Sequence, residues 1–252
     1  MLELAGSTEL ESGLVISVSG LTVDNSFVQL AGTLSYGHAF AEVGGGANLD
    51  LAGNTLALAT TSTASLDAGL LSDGGALSAA GATVVGNFNV GGNADLIIAA
   101  SGIAEQIGQL NLSPGLIGPG TLTVAAGGSY TLDDDVSIVG AGSVIIGGTF
   151  AAAGNGLSQI SAFVSQTGTL LVNDQTLQLG GGGQFGGTIG GAGTVQFASF
   201  SGFSTYTLMG LSFAAAAGRS ARTRSCNSAP TWRMADCSRK APAARSRCRA
   251  TT

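Results

Sequence analysis

The side chains able to do chemistry are few and unevenly placed. One acidic cluster, Asp133-Asp134-Asp135, lies shortly after Tyr130. Two carboxylates at a suitable separation can hydrolyse a glycosidic bond, and a set of carboxylate oxygens can hold calcium. A solvated corner between two strands accounts for the same three residues without catalysis. The one histidine, His38, stands in Tyr36-Gly37-His38-Ala39-Phe40 with no second ligand nearby, so a surface or corner position is expected rather than a metal site. The three cysteines, Cys226, Cys237 and Cys248, are evenly and widely spaced with no histidine after them, which fits no common zinc pattern. The Gly-rich stretch from Gly180 to Gly193 lacks the Asp of a calcium nonapeptide and is followed by neither a helix nor a lysine. It reads as chain corners and not as a phosphate cradle.

What is missing narrows the field further. From Met1 to Gly218 the chain contains no Lys, Arg or Cys. Schiff-base chemistry, thiol nucleophiles and guanidinium clamps on phosphate or carboxylate are therefore unavailable there. Polysaccharide lyases, which set basic residues against an acidic sugar, are disfavoured, and no cofactor is expected. Fourteen acids without a base give residues 1–218 a formal charge of −14, whereas nine bases against Asp236 give residues 219–252 a charge of +8. The acidic part repels nucleic acid and anionic membrane surfaces. It has no uninterrupted apolar run of the length needed to cross a bilayer, so no membrane-spanning helix is expected. Met1-Leu2-Glu3-Leu4 offers neither a basic leader nor an apolar core, so a secretory signal is not expected within this chain.

These residues must be positioned by short strands. Apolar residues alternate in bursts such as Leu14-Val15-Ile16-Ser17-Val18, Thr55-Leu56-Ala57-Leu58, Thr121-Leu122-Thr123-Val124 and Thr176-Leu177-Gln178-Leu179, broken by Gly, Asn, Asp or Ser. Period-two alternation with β-branched residues predicts strands. Ile103-Ala104-Glu105-Gln106-Ile107 is the one stretch whose pattern allows a helical turn. Loose phrases recur, Leu30-Ala31-Gly32-Thr33-Leu34 beside Leu51-Ala52-Gly53-Asn54-Thr55-Leu56, and Gly120-Thr121-Leu122-Thr123-Val124 beside Gly193-Thr194-Val195-Gln196-Phe197. Imperfect self-similarity with few aromatic anchors favours a solenoid over a β-sandwich or barrel. Coils of about 20 residues stacked at ~4.8 Å would give about ten rungs.

Gly118-Pro119-Gly120-Thr121-Leu122-Thr123-Val124 with Gly128-Ser129-Tyr130-Thr131-Leu132 resembles the autotransporter-associated β-strand repeat. So does Gly191-Ala192-Gly193-Thr194-Val195-Gln196-Phe197 with Ser204-Thr205-Tyr206-Thr207-Leu208. Both copies lack the Asn before the aromatic residue and the Gly after the final Thr that the repeat carries. The resemblance implies an all-β chain folded as a right-handed parallel β-helix. It also implies a surface-exposed or secreted bacterial passenger region whose membrane barrel lies outside this chain.

The basic tail can be read as a nucleic-acid arm, a metal site, a linker, or a product of the wrong reading frame. The genetic code favours the last. In the frame that joins the third base of each codon to the first two of the next, Met234-Ala235 gives Gly and Asp236-Cys237 gives Leu. With CGN codons for Arg and TCN for Ser246, residues 241–252 then admit Ala-Gly-Ser-Thr-Leu-Thr-Leu-Ser-Gly-Asn-Asn. That string matches the strand repeat named above. The chain thus divides into solenoid repeats over residues 1–213 and a frameshifted, disordered tail over residues 214–252.

The function expected from these observations is a structural or adhesive segment of a bacterial surface protein, without catalysis. Its partners would be host or cell-surface glycans or proteins, and not nucleic acid. Absence of Cys suits export through an oxidising periplasm. The alternative is a glycan-active enzyme using Asp133, Asp134 or Asp135. A calcium-stabilised acidic module is a third reading.

Overall fold

In the computed structural model, residues 1–198, 204–215 and 231–233 are described. They form a parallel β-solenoid of about ten turns, in which 31 short strands make three long sheets and no helix occurs among the described residues. The first and second sheets have eleven strands each and the third has nine. From Gly20 to Leu208 each turn lays one strand in each sheet in succession, whereas the first turn supplies Leu2–Leu4 and Ser7–Leu10 to the first two sheets only; a strand pairs with its counterparts in the coil before it and the coil after it.

Register shows how the sequence is wound. In the first sheet Leu21, Phe40, Ala64, Thr83, Ala104, Tyr130, Phe150, Leu170 and Ile189 are successive Cα partners, each one coil beyond the last. In the third sheet the corresponding column runs Leu34, Leu56, Leu77, Leu96, Leu122, Val144 and Val164. Side chains alternate across a strand, so alternate residues point inward along the whole rod. Leu, Val, Ile and Ala fill that interior, with aromatic rings such as Phe88, Tyr130, Phe150 and Phe185 among them. Strands buried on one face and solvated on the other explain the buried–intermediate alternation found in most strands.

Corners require a sharp change of direction within a few residues, and the backbone meets this with left-handed conformations. Asn25, Asp73, Asn93, Asp135 and Asp174 all have positive φ at such corners, a region Asn and Asp tolerate through local hydrogen bonds. Gly75 is a constrained case: its φ is +73°, and a Cβ there would lie 2.0 Å from the carbonyl oxygen of Asn54 in the previous coil. Gly75→Ala therefore combines backbone strain with a clash against immobile backbone. The expected loss is roughly 2–4 kcal/mol, read as a lower urea midpoint; an unchanged midpoint would show that the corner can shift.

Three sequence expectations change. Leu14-Val15-Ile16-Ser17-Val18 forms no strand, and Leu14 and Val15 are exposed between Ser7–Leu10 and Gly20–Asp24. Ile103–Gln106 is a strand, not a helical turn. Its alternation is inverted in hydrophobicity: Ala104 and Gln106 are buried, while Ile103 and Ile107 face solvent. Stacking on Thr83 and Val85 sets that register, and the space inside the coil, not the size of Ile103, decides which set turns in. The two copies of the repeat phrase also occupy different faces. Thr121–Val124 lies in the third sheet and Thr194–Phe197 in the second, so the phrase encodes a strand, a corner and a strand without fixing which corner.

The final parallel strand of the first sheet is Ser212–Ala215. Thr231–Arg233 runs antiparallel along Thr194–Phe197. The expected disorder of the tail concerns residues that otherwise lie outside the described ones.

Candidate functional site

Asp133-Asp134-Asp135 forms an exposed corner between Ser129–Leu132 and Ser137–Val139. Two of its carboxylates are engaged by the next coil. Asp134 Oδ1 accepts the backbone N–H of Asn155 at 2.6 Å, and Asp135 Oδ1 accepts that of Leu157 at 2.9 Å. The carbonyl of Asp133 accepts the Ser158 hydroxyl at 3.2 Å. The same device recurs at another corner, where Asp67 Oδ1 accepts the backbone N–H of Asn87 at 3.0 Å. Each carboxylate fills the role that a capping residue fills at a helix start, satisfying a backbone donor that the turn leaves unpaired.

Asp135→Ala removes that acceptor and also forces Ala into the left-handed region. A loss of about 1–2 kcal/mol is expected, with faster hydrogen exchange at Leu157. Equal exchange in both proteins would show the carboxylate to be dispensable.

Tyr130 does not face this cluster. It is fully buried, its ring stacks on Phe150 at 5.3 Å between centroids, and its hydroxyl donates to Gln106 Oε1 at 2.8 Å. Gln106 Nε2 in turn donates to the carbonyls of Gly108 and Ser137, at 2.7 and 2.9 Å. His38 is exposed and meets the Tyr36 ring edge-on at 5.8 Å between centroids. The stretch from Gly180 to Gly193 includes the strands Gly183–Phe185 and Thr188–Gly191 as well as corners. A Cβ on Gly187 would lie 2.0 Å from the carbonyl oxygen of Gly168, so close coil-to-coil contact explains the glycine. The three cysteines lie outside the described residues. Among the described residues no three His, Cys, Asp or Glu side chains come together as a metal-binding group.

Sequence reading overlooked the polar side chains turned inward. Glu42 is completely buried in a column between Val23 and Leu66. Its Oε1 accepts the backbone N–H of Leu70 at 3.0 Å, while Oε2 has no partner. Burial pushes its carboxyl up to about 8, with the hydrogen bond from the Leu70 backbone pulling it partly back. Strict alternation in Phe40-Ala41-Glu42-Val43 was the available signal: it places Glu42 on the same face as Phe40. Gln166 caps another coil end, donating to the carbonyls of Gly168 and Thr188 at 2.6 and 3.1 Å. On the outer face of the third sheet, burial raises the Asp95 carboxyl to about 6, although the Thr123 hydroxyl lies within reach of both its oxygens at 3.0 and 3.1 Å.

The outer surface is uneven in charge. Thirteen acids fall in residues 1–135, but Asp174 is the only charged residue from 136 to 218. A shallow depression of about 310 Å³ lies on the first sheet beside Met1, lined by Gly20, Thr22, Ala39, Ala41, Thr63 and Ser65 among others. Its lining carries methyl and hydroxyl groups and no carboxylate. Leu116 is fully exposed in the loop between Leu110–Asn111 and Thr121–Val124. Among the described residues no helix is long and apolar enough to cross a membrane, which says nothing of a β-barrel. No protein-family model, curated protein or solved structure matches the chain.

Proposed function

We propose that this chain is a structural and interaction segment of a bacterial surface-exposed or secreted protein of the autotransporter type, working without catalysis. The observation that carries this reading is the unbroken stack of coils. Its acidic corner cluster is engaged in holding successive coils together, through Asp134 to Asn155 and Asp135 to Leu157. A rod built by repetition gives length and surface in proportion to coil number. Its corners and flat faces present side chains without needing a preformed cleft. Host or cell-surface glycans or proteins are the proposed partners, and the outside of the cell is the proposed location.

The test has two parts. Epitope-tagged full-length protein on intact cells should be accessible to added protease and to antibody. The purified chain should leave a panel of polysaccharides uncleaved, with Asp133→Asn, Asp134→Asn and Asp135→Asn indistinguishable from the parent. Cleavage that disappears in one Asn variant would sink the non-catalytic reading. A chelator that lowers the thermal transition would favour a calcium-stabilised module instead.

A further inference from the structure

One face of the rod carries both a depression and a ridge. Alternate residues of the first sheet turn outward in two columns. One runs Gly20, Ala39, Thr63, Ala82, Ile103 and Ser129, the other Thr22, Ala41, Ser65, Val84, Glu105 and Thr131. From Gly20 to Ser65 every outward residue of both columns is Gly, Ala, Ser or Thr, and these line the depression of about 310 Å³ with Met1 at its end. The next two coils raise Val84, Ile103 and Ile107, which are 39%, 64% and 54% exposed. Here the strand buries Ala104 and Gln106 and turns its larger apolar side chains to solvent. Aliphatic groups gathered on an exposed face in this way mark a surface that is covered by a partner.

The placement of ridge and depression selects a second copy of this chain as the partner. A two-fold axis along the strands, between Thr63–Asp67 and Ala82–Val85, lays two rods antiparallel and sets each ridge over the other's depression. Ile103 of one copy then faces Ala39 of the other, and Val84 faces Ser65. Glu105 faces Ala41 and Glu3 faces Ala151, so no carboxylate of this face opposes another. An axis along the rod would instead set Ile103 against Glu105 and leave depression facing depression. In the antiparallel arrangement the eight strands from Leu2–Leu4 to Thr149–Ala152 overlap. At ~4.8 Å per coil and ~15 Å per strand they cover about 1,100 Å² over both copies, enough for a specific interface.

We infer that the outer face of the first sheet is the interface of a homodimer, two antiparallel rods each seating its Val84–Ile103 ridge in the depression of the other. The corner beside this face brings Asp24 of one copy toward Asp133-Asp134-Asp135 of the other. These like charges repel at the rim, so screening by salt tightens the dimer. The inference stands apart from the surface role proposed above, since the face is the same whatever the rod does.

Sedimentation equilibrium of the full chain tests it, under reducing conditions that keep Cys226, Cys237 and Cys248 from cross-linking. A dimer is expected at micromolar concentration, with a dissociation constant that falls as NaCl rises from ~0.05 to ~0.5 M. A monomer at ~100 μM in the higher salt would overturn the inference. Association that weakens with salt would assign it to the basic residues 219–252 on the acidic body, and would overturn it equally. Ile103→Asp is expected to raise the constant about tenfold or more. Adding Ala39→Lys to Ile103→Asp should recover most of that loss, because the two positions face each other across the axis. Both positions are exposed, and circular dichroism checks that each variant keeps its strands. An unchanged constant in Ile103→Asp, or no recovery in the double variant, refutes the proposed interface.

Discussion

Glu42→Gln is expected to make the protein about 3 kcal/mol more stable at pH 7 and to flatten its pH dependence. No Lys or Arg precedes Arg219, so the body of the solenoid can offer Glu42 no basic side chain as a counter-charge except the exposed His38. The acids nearest in register, Asp24 and Asp67 opposite the neighbouring Val43, supply no counter-charge. Folding therefore holds the carboxyl neutral, raising it from 4.5 to about 8. A raised value means the folded state binds the extra proton. The stabilisation is complete below pH 4.5 and is lost as the pH climbs to about 8. Each pKa unit is worth about 1.4 kcal/mol, so most of the change falls before neutrality.

Gln keeps the shape and the acceptor for the Leu70 N–H while removing the ionisation. Urea unfolding of both proteins between pH 4 and 9 checks this. The parent should lose stability with rising pH and the variant should lose much less; parallel profiles would show that Glu42 ionises in place without cost. Asp95, raised to about 6, adds a smaller slope of the same sign in both proteins.

Tyr130→Ala is expected to cost about 3–5 kcal/mol, the range for emptying a buried aromatic site. The ring is fully enclosed and stacked on Phe150, and neighbouring coils meet it with backbone fixed by the parallel ladder. Such a lattice collapses poorly around a void. Tyr130→Phe isolates the polar part of the effect. It leaves Gln106 Oε1 buried without its donor, for an expected loss of about 1–3 kcal/mol. Because each coil contacts only its neighbours, the damage should be local. Hydrogen exchange should accelerate most in Ile103–Gln106 and Thr149–Ala152, which flank the site. A uniform change along the rod would instead indicate one cooperative unit. A Phe variant as costly as the Ala variant would assign the whole effect to the hydroxyl.

Alternation and the recurrence of Gly-bounded strands were enough to read a parallel solenoid, because a strand buried on one face imposes period two on its sequence. The candidate site was less legible. Asp133-Asp134-Asp135 was visible as a cluster, but the backbone donors it serves belong to Asn155 and Leu157, one coil further on. Nothing in the local sequence marks a partner a whole coil away. Tyr130, close to the cluster in sequence, is turned into the core by the same alternation that defines its strand.

Charge segregation, the absence of bases before Arg219 and the strand period are properties of the chain alone, fixed by which residues follow which. Register is a property of the wound structure. It turns Glu42 and Gln106 inward and brings a carboxylate of one corner to the backbone of the next. It also puts two copies of one phrase on different faces, and leaves Leu208 and Phe213 partly exposed where their sheets end among the described residues. Coil length is not constant: the step from Leu21 to Phe40 is shorter than the step from Ala104 to Tyr130. Neither which side chains stack nor which go uncovered can therefore be counted off the sequence; packing between successive coils decides both.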